Sequence, residues 1–65
     1  MDAEKIANAL LALRGKRSRE EVASAIGIST SALAMYENAM RIPRDETKIK
    51  IAKYYGRSVQ EIFFE

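Results

Sequence analysis

The sequence predicts an all-α fold of five short helices, and three observations carry that expectation. Apolar residues recur at three- and four-residue spacings in segment after segment. Ser18, Ser29 and Ser58 on one side, and Gly15, Gly27 and Gly56 on the other, punctuate those segments as helix starts and stops. No segment alternates apolar and polar residues with the period of two that a half-buried strand needs, so no sheet is expected.

The first segment places Ile6, Leu10 and Leu13 on one stripe, and Gly15 stops it. Ser18 with Glu21 three positions later forms a capping box and starts a second helix. Its inner face is Val22, Ala23 and Ile26, and Gly27 ends it as a left-handed cap. Only Ile28 separates that glycine from Ser29, the next N-cap, so a third helix follows over residues 30–37 and buries Leu33 and Tyr36. Pro43 breaks the chain and pushes Ile42 toward extended backbone. The charge of Asp45 suits a helix start, and Lys48, Ile51, Ala52 and Tyr55 then share a face with Ile49 beside it. Gly56 stops this fourth helix. Ser58 and Glu61 repeat the capping pattern for a short fifth one carrying Val59, Ile62 and Phe63. Of the aromatic pairs, Tyr55 is assigned to the core and Tyr54 to a partly exposed position. One of Phe63 and Phe64 closes the core, and the other is left for the surface or a dimer contact.

A chain of 65 residues is expected to form one domain with a marginal core, which dimerisation would help. There is no cysteine and no histidine, so disulfides and zinc spacing are both excluded, and no cofactor is expected. An enzyme reading lacks the usual nucleophile and base, and a chain this short hardly encloses a pocket. No apolar run approaches the ~20 residues of a membrane span, and Met-Asp-Ala-Glu is no secretory signal, which makes the cytoplasm the default compartment. The net charge of +2 says little alone, but Arg14, Lys16, Arg17 and Arg19 fall within six positions with no acid among them.

Two helices joined by about three residues must cross steeply, which demands small contact residues. Ala23 permits the close approach, Gly27 makes the turn, and Leu33 and Tyr36 anchor the second helix. The outer face of residues 30–35 is then free to enter a DNA major groove.

These features resemble the lambda-repressor-like, or Xre-type, helix-turn-helix regulators. The resemblance runs from Ile6 to Phe64 through Leu13-Arg14, Ser-Arg-Glu-Glu-Val-Ala (18–23), Ile-Gly-Ile-Ser (26–29), Tyr-Glu-Asn (36–38), Arg-Ile-Pro (41–43), Lys-Ile-Ala-Lys-Tyr-Tyr-Gly (50–56) and Ser-Val-Gln-Glu-Ile-Phe (58–63). It implies a compact five-helix domain over residues 1–65, with the helix-turn-helix at about 18–38. It further implies a transcriptional regulator, a repressor in the first instance, that binds double-stranded operator DNA as a homodimer. A bacterial or phage origin goes with it, and no small-molecule effector is expected. By the same resemblance Thr30, Ser31, Ala34 and Met35 face bases, while Arg17, Ser18, Arg19, Asn38 and Arg41 contact phosphates, with Lys16 as a further candidate.

The chain departs from the family pattern in three places. The loop between Leu13 and Ser18 is short. Ala39 stands where glycine is usual, leaving either Ala39 or Asn38 to take a left-handed backbone. The base-facing positions lack Arg, Gln and Asn, so bidentate pairs to guanine or adenine are unavailable there, and thymine methyls become the natural target. An alternative reading is a protein-interaction or antitoxin-type helix-turn-helix module using the small apolar face of Ala34 and Met35; the basic cluster at 14–19 argues against it. A free-standing protein and the DNA-binding part of a longer regulator both suit the sequence.

Overall fold

The computed structural model describes residues 1–64 and contains five helices: α1 (Ala3–Arg14), α2 (Arg19–Ile26), α3 (Thr30–Glu37), α4 (Asp45–Tyr55) and α5 (Val59–Phe63). No strand occurs among the described residues. Each start has a local cause. Ser18, Ser29 and Ser58 accept from the backbone N–H three residues on, which satisfies one of the donors that a helix start leaves unpaired. Asp2 caps α1, receiving Glu4 N–H at 3.0 Å and Lys5 N–H, three residues on, at 3.3 Å, a cap that the periodicity reading did not assign. The capping box is complete only at α5, where Ser58 N–H also donates to Glu61 Oε1 at 2.8 Å. At α2 the Ser18 hydroxyl half is made and the reciprocal Glu21 bond is absent among the described residues, a correction to the expected box. α4 begins without a side-chain cap; Asp45 and Glu46 occupy its first turn, where their charge opposes the positive end of the helix dipole.

The ends of α2, α3 and α4 share one device. Ile28 N–H donates to Ala23 O at 3.0 Å, Met40 N–H to Met35 O at 2.9 Å, and Arg57 N–H to Ala52 O at 3.0 Å. Each of these bonds spans five residues and requires the residue before the donor to be left-handed. Gly27 and Gly56 meet that demand with φ of 93° and 66°. At α3 the demand falls on Ala39, with φ of 60°, while Asn38 keeps φ of −102°. Of the two residues open to that role, the alanine takes it.

The core gathers Ile6 and Leu10 from α1, Val22, Ala23 and Ile26 from α2, Leu33 and Tyr36 from α3, Ile51 and Ala52 from α4, and Ile62 and Phe63 from α5. Phe63 is the phenylalanine that closes it, and Phe64 is 53% exposed. Tyr55, expected in the core, is half-buried like Tyr54, and the two rings meet edge to face at 5.0 Å. Lys48 is buried on the inner face of α4, with Nζ 3.4 Å from Asp45 Oδ1 and 5.1 Å from the centre of the Phe64 ring. Ile49 points outward, 58% exposed.

Candidate nucleic-acid interface

α2 and α3 are separated by Gly27, Ile28 and Ser29. Ala23 is 1% exposed at their packing, and Leu33, fully buried, anchors α3 beneath it. Because Leu33, Tyr36 and Glu37 take the inner stripe of α3, Thr30, Ser31 and Met35 are left exposed and Ala34 half-exposed. The Thr30 and Ser31 hydroxyls make no hydrogen bond among the described residues. The four residues expected to face bases therefore lie on the uncovered side of one short helix.

The basic residues around this helix, with the neutral Asn38 beside them, divide into three groups. Arg17 is folded back on the chain: Nη2 donates to Leu13 O at 2.7 Å, Nε to Arg14 O at 3.3 Å and Nη1 to Tyr54 Oη at 3.1 Å. Its guanidinium lies 5.4 Å from the centres of both the Tyr54 and Tyr55 rings, so it fastens the α1–α2 loop to α4. Burial, reinforced by the negative charge of Glu37, raises the Tyr55 phenol above its ordinary range. Arg14 and Arg19 form the second group, converging on Glu37: Arg14 Nε reaches Oε2 at 2.8 Å and Arg19 Nε reaches Oε1 at 2.9 Å. Lys16, Asn38 and Arg41 form the third, exposed and without an ion pair among the described residues. Ser18 Oγ already accepts from Glu21 N–H, so its remaining capacity toward a phosphate is its own O–H.

Glu37 is the residue that sequence reasoning missed. It is 2% exposed, although an acidic residue beside a basic cluster ordinarily reads as a solvated charge. The signal was its register: Leu33, Tyr36 and Glu37 follow the i, i+3, i+4 pattern of an inner face. A carboxylate in that register needs a cation, and Arg14 and Arg19 are 23 and 18 positions away.

A tight α2–α3 pair with an uncovered second helix and a basic margin defines a helix-turn-helix. The family described as Helix-turn-helix (HTH_3) matches residues 6–62, and the chain belongs to that family of lambda-repressor-like regulators, which are DNA-binding proteins and not enzymes. The chain is similar to the "Cryptic phage CTXphi transcriptional repressor RstR" of Vibrio cholerae, 38% identical over 45 residues, which cover 69% of this chain and 40% of that protein. It thus spans about two fifths of the length of that relative. No solved structure matches the chain significantly. Among the described residues, no helix is long and apolar enough to cross a membrane.

Proposed function

We propose that this DNA-binding regulator is a sequence-specific repressor of transcription in which residues 1–65 form one helix-turn-helix domain and α3 enters the major groove. The observation that carries the reading is the α2–α3 pair itself, whose inner face is fully used by the core while Thr30, Ser31, Ala34 and Met35 remain uncovered. Ser18, Arg19, Asn38 and Arg41 flank that face and set the register on phosphates, with Arg17 acting mainly through the loop that it fastens. The repressor role follows the similarity to the phage repressor. A cytoplasmic protein of bacterial or phage origin fits the same relationship.

The repressor acts as a homodimer in this reading. Met40 at 77%, Phe64 at 53% and Ile42 at 37% exposure supply apolar surface outside the four base-facing residues for a second copy. Two recognition helices then read half-sites about 34 Å apart along the duplex.

Selection of bound duplexes from a random pool, followed by salt titration on the selected site, tests the proposal. The expected result is a two-fold symmetric site whose affinity falls steeply with salt, as release of counterions from phosphates requires. Sedimentation of the complex should give two protomers per site. Pools that return no preferred sequence, or binding indifferent to salt, would overturn the reading. No base-contacting side chain is needed for an antitoxin-type protein contact, so that outcome would move the function to the alternative module.

A further inference from the structure

Each oxygen of the Glu37 carboxylate is paired with the Nε of a different arginine, and the Glu37 side chain is 0% exposed. The two arginines differ in what remains to them. Arg14, 18% exposed, also donates from Nη1 to Arg17 O at 2.8 Å, so it belongs to the interior of the α1–α2 loop. Arg19 is 34% exposed at the first residue of α2, and its Nη1 and Nη2 groups bond nothing among the described residues. Two guanidinium cations on one carboxylate leave a net charge of +1 in the triad. Glu20 and Glu21 occupy the same first turn and offset the positive end of the α2 dipole, so the arginine fork is the charged donor available there for an anion, beside the neutral O–H of Ser18.

We propose that Glu37 is the positioning residue of the DNA grip: it holds Arg19 by Nε and thereby aims the terminal nitrogens of its fork at a backbone phosphate of the duplex. This rests on the DNA-binding reading above. A guanidinium can serve two anions at once, because its Nε edge and its Nη pair point in different directions from one rigid plane. Held in the free protein, the side chain loses little rotamer freedom on binding, which is the cost that an unrestrained arginine pays at an interface. Arg14 keeps the triad cationic while Arg19 is engaged. A lysine at 19 has a single point charge and must divide it between Glu37 and the phosphate.

The test compares binding of a mixed-sequence DNA duplex by the wild-type chain, Arg19→Lys, Arg19→Ala, Glu37→Gln and the Arg19→Ala, Glu37→Gln double variant across a salt series. Arg19→Ala should weaken binding roughly tenfold and lower the salt slope by about one. Arg19→Lys, at a part-exposed position, should lose nearly as much despite its retained charge. Glu37→Gln should weaken binding in the wild-type background and add little to Arg19→Ala, the non-additivity of two residues acting as one. The Arg19 Nε–H resonance should be protected in the free protein and stay so on DNA. Binding by Arg19→Lys equal to wild type, an undiminished Glu37→Gln effect without Arg19, or an Nε–H that loses protection on DNA would each overturn the proposal while leaving DNA binding in place. Absence of salt-dependent binding by the wild-type chain would overturn both. If Glu37→Gln does not fold, the lysine variant and the Nε–H resonance still decide.

Discussion

Ala39 takes φ of 60° at the end of α3, where glycines take 93° and 66° at the ends of α2 and α4. An L-residue in this region pushes Cβ against the following carbonyl, a strain of about 1–2 kcal/mol. Replacing Ala39 by glycine removes that strain but returns about 0.4–1 kcal/mol of freedom to the unfolded chain. Ala39→Gly should therefore stabilise the fold by up to about 1.5 kcal/mol, a rise of several degrees in Tm for a domain of this size. Gly15 is the converse case, with φ of 59° and ψ of −127°, outside every region that L-residues favour. A Cβ there would meet only Ala12 O at 3.9 Å, so space is no obstacle and the backbone alone sets the penalty. Gly15→Ala should lower stability by more than about 1 kcal/mol. Thermal unfolding of both variants checks the pair: shifts of equal sign would contradict the backbone account. At this scale the sequence announced Gly15, Gly27 and Gly56, since glycine has few other reasons to sit at a helix end. It left position 39 open between two residues, because the choice depends on where the five-residue bond from Met40 to Met35 forms. The Glu37 triad was less legible still. Its partners are distant in sequence, and no local rule pairs them.

The helices themselves were the most legible level, because their causes are local: at α2 a serine cap, an apolar stripe and a glycine stop lie within a dozen residues of one another. What escaped was how they meet. Arg17 reads as one more surface cation until Tyr54 and Tyr55, on another helix, come up against it. The α2–α3 crossing was expected from Ala23 and Gly27, and Ala23 is 1% exposed there. Ala23→Leu should overpack that crossing at a cost of roughly 1–3 kcal/mol, and an unchanged Tm would remove the small-residue argument for the steep turn. α5 makes a separate prediction through its cap. The Ser58 N–H, then the Ser58 hydroxyl and the nearby Arg57 charge, hold Glu61 below the ordinary carboxylate value of 4.5. A depressed value in the folded state means that the ionised carboxylate adds stability above its unfolded value, and that this is lost as pH falls through the folded one. Glu61→Gln keeps the hydrogen-bonding shape without titrating. The difference in Tm between wild type and Glu61→Gln should be largest above the carboxylate range and shrink as pH drops below 4.5. A difference independent of pH would show that the charge plays no part in the cap.

Across the whole molecule the basic residues are arranged less for bulk attraction than the sequence suggests. Of the four cations at positions 14–19, Arg14 and Arg19 share Glu37 in a triad of net charge +1 and Arg17 is bonded to the chain, which leaves Lys16 as the one without a protein partner among the described residues. A net charge of +2 then supplies only modest long-range steering. In the sequence-specific reading proposed above, selectivity comes from contacts at close range and from the shape of the duplex. On the uncovered face of α3 those contacts are two hydroxyls from Thr30 and Ser31, the Ala34 methyl and the Met35 thioether, which is 37% exposed. None is a bidentate donor, so guanine and adenine edges have no strong partner there, whereas the C5-methyl of thymine suits an alanine and a methionine. Replacing thymine by uracil in the selected site deletes that methyl and leaves every hydrogen-bonding group in place. One or two positions should then lose affinity by about 0.8 kcal/mol each, the worth of one buried carbon, which is roughly a fourfold change in Kd. Ala34→Gly should make the protein indifferent to the same substitution at the position which that methyl touches. If uracil is tolerated everywhere while removal of a guanine edge group abolishes binding, a polar side chain outside these four is the reader, and Arg41 beyond the end of α3 is the first to replace.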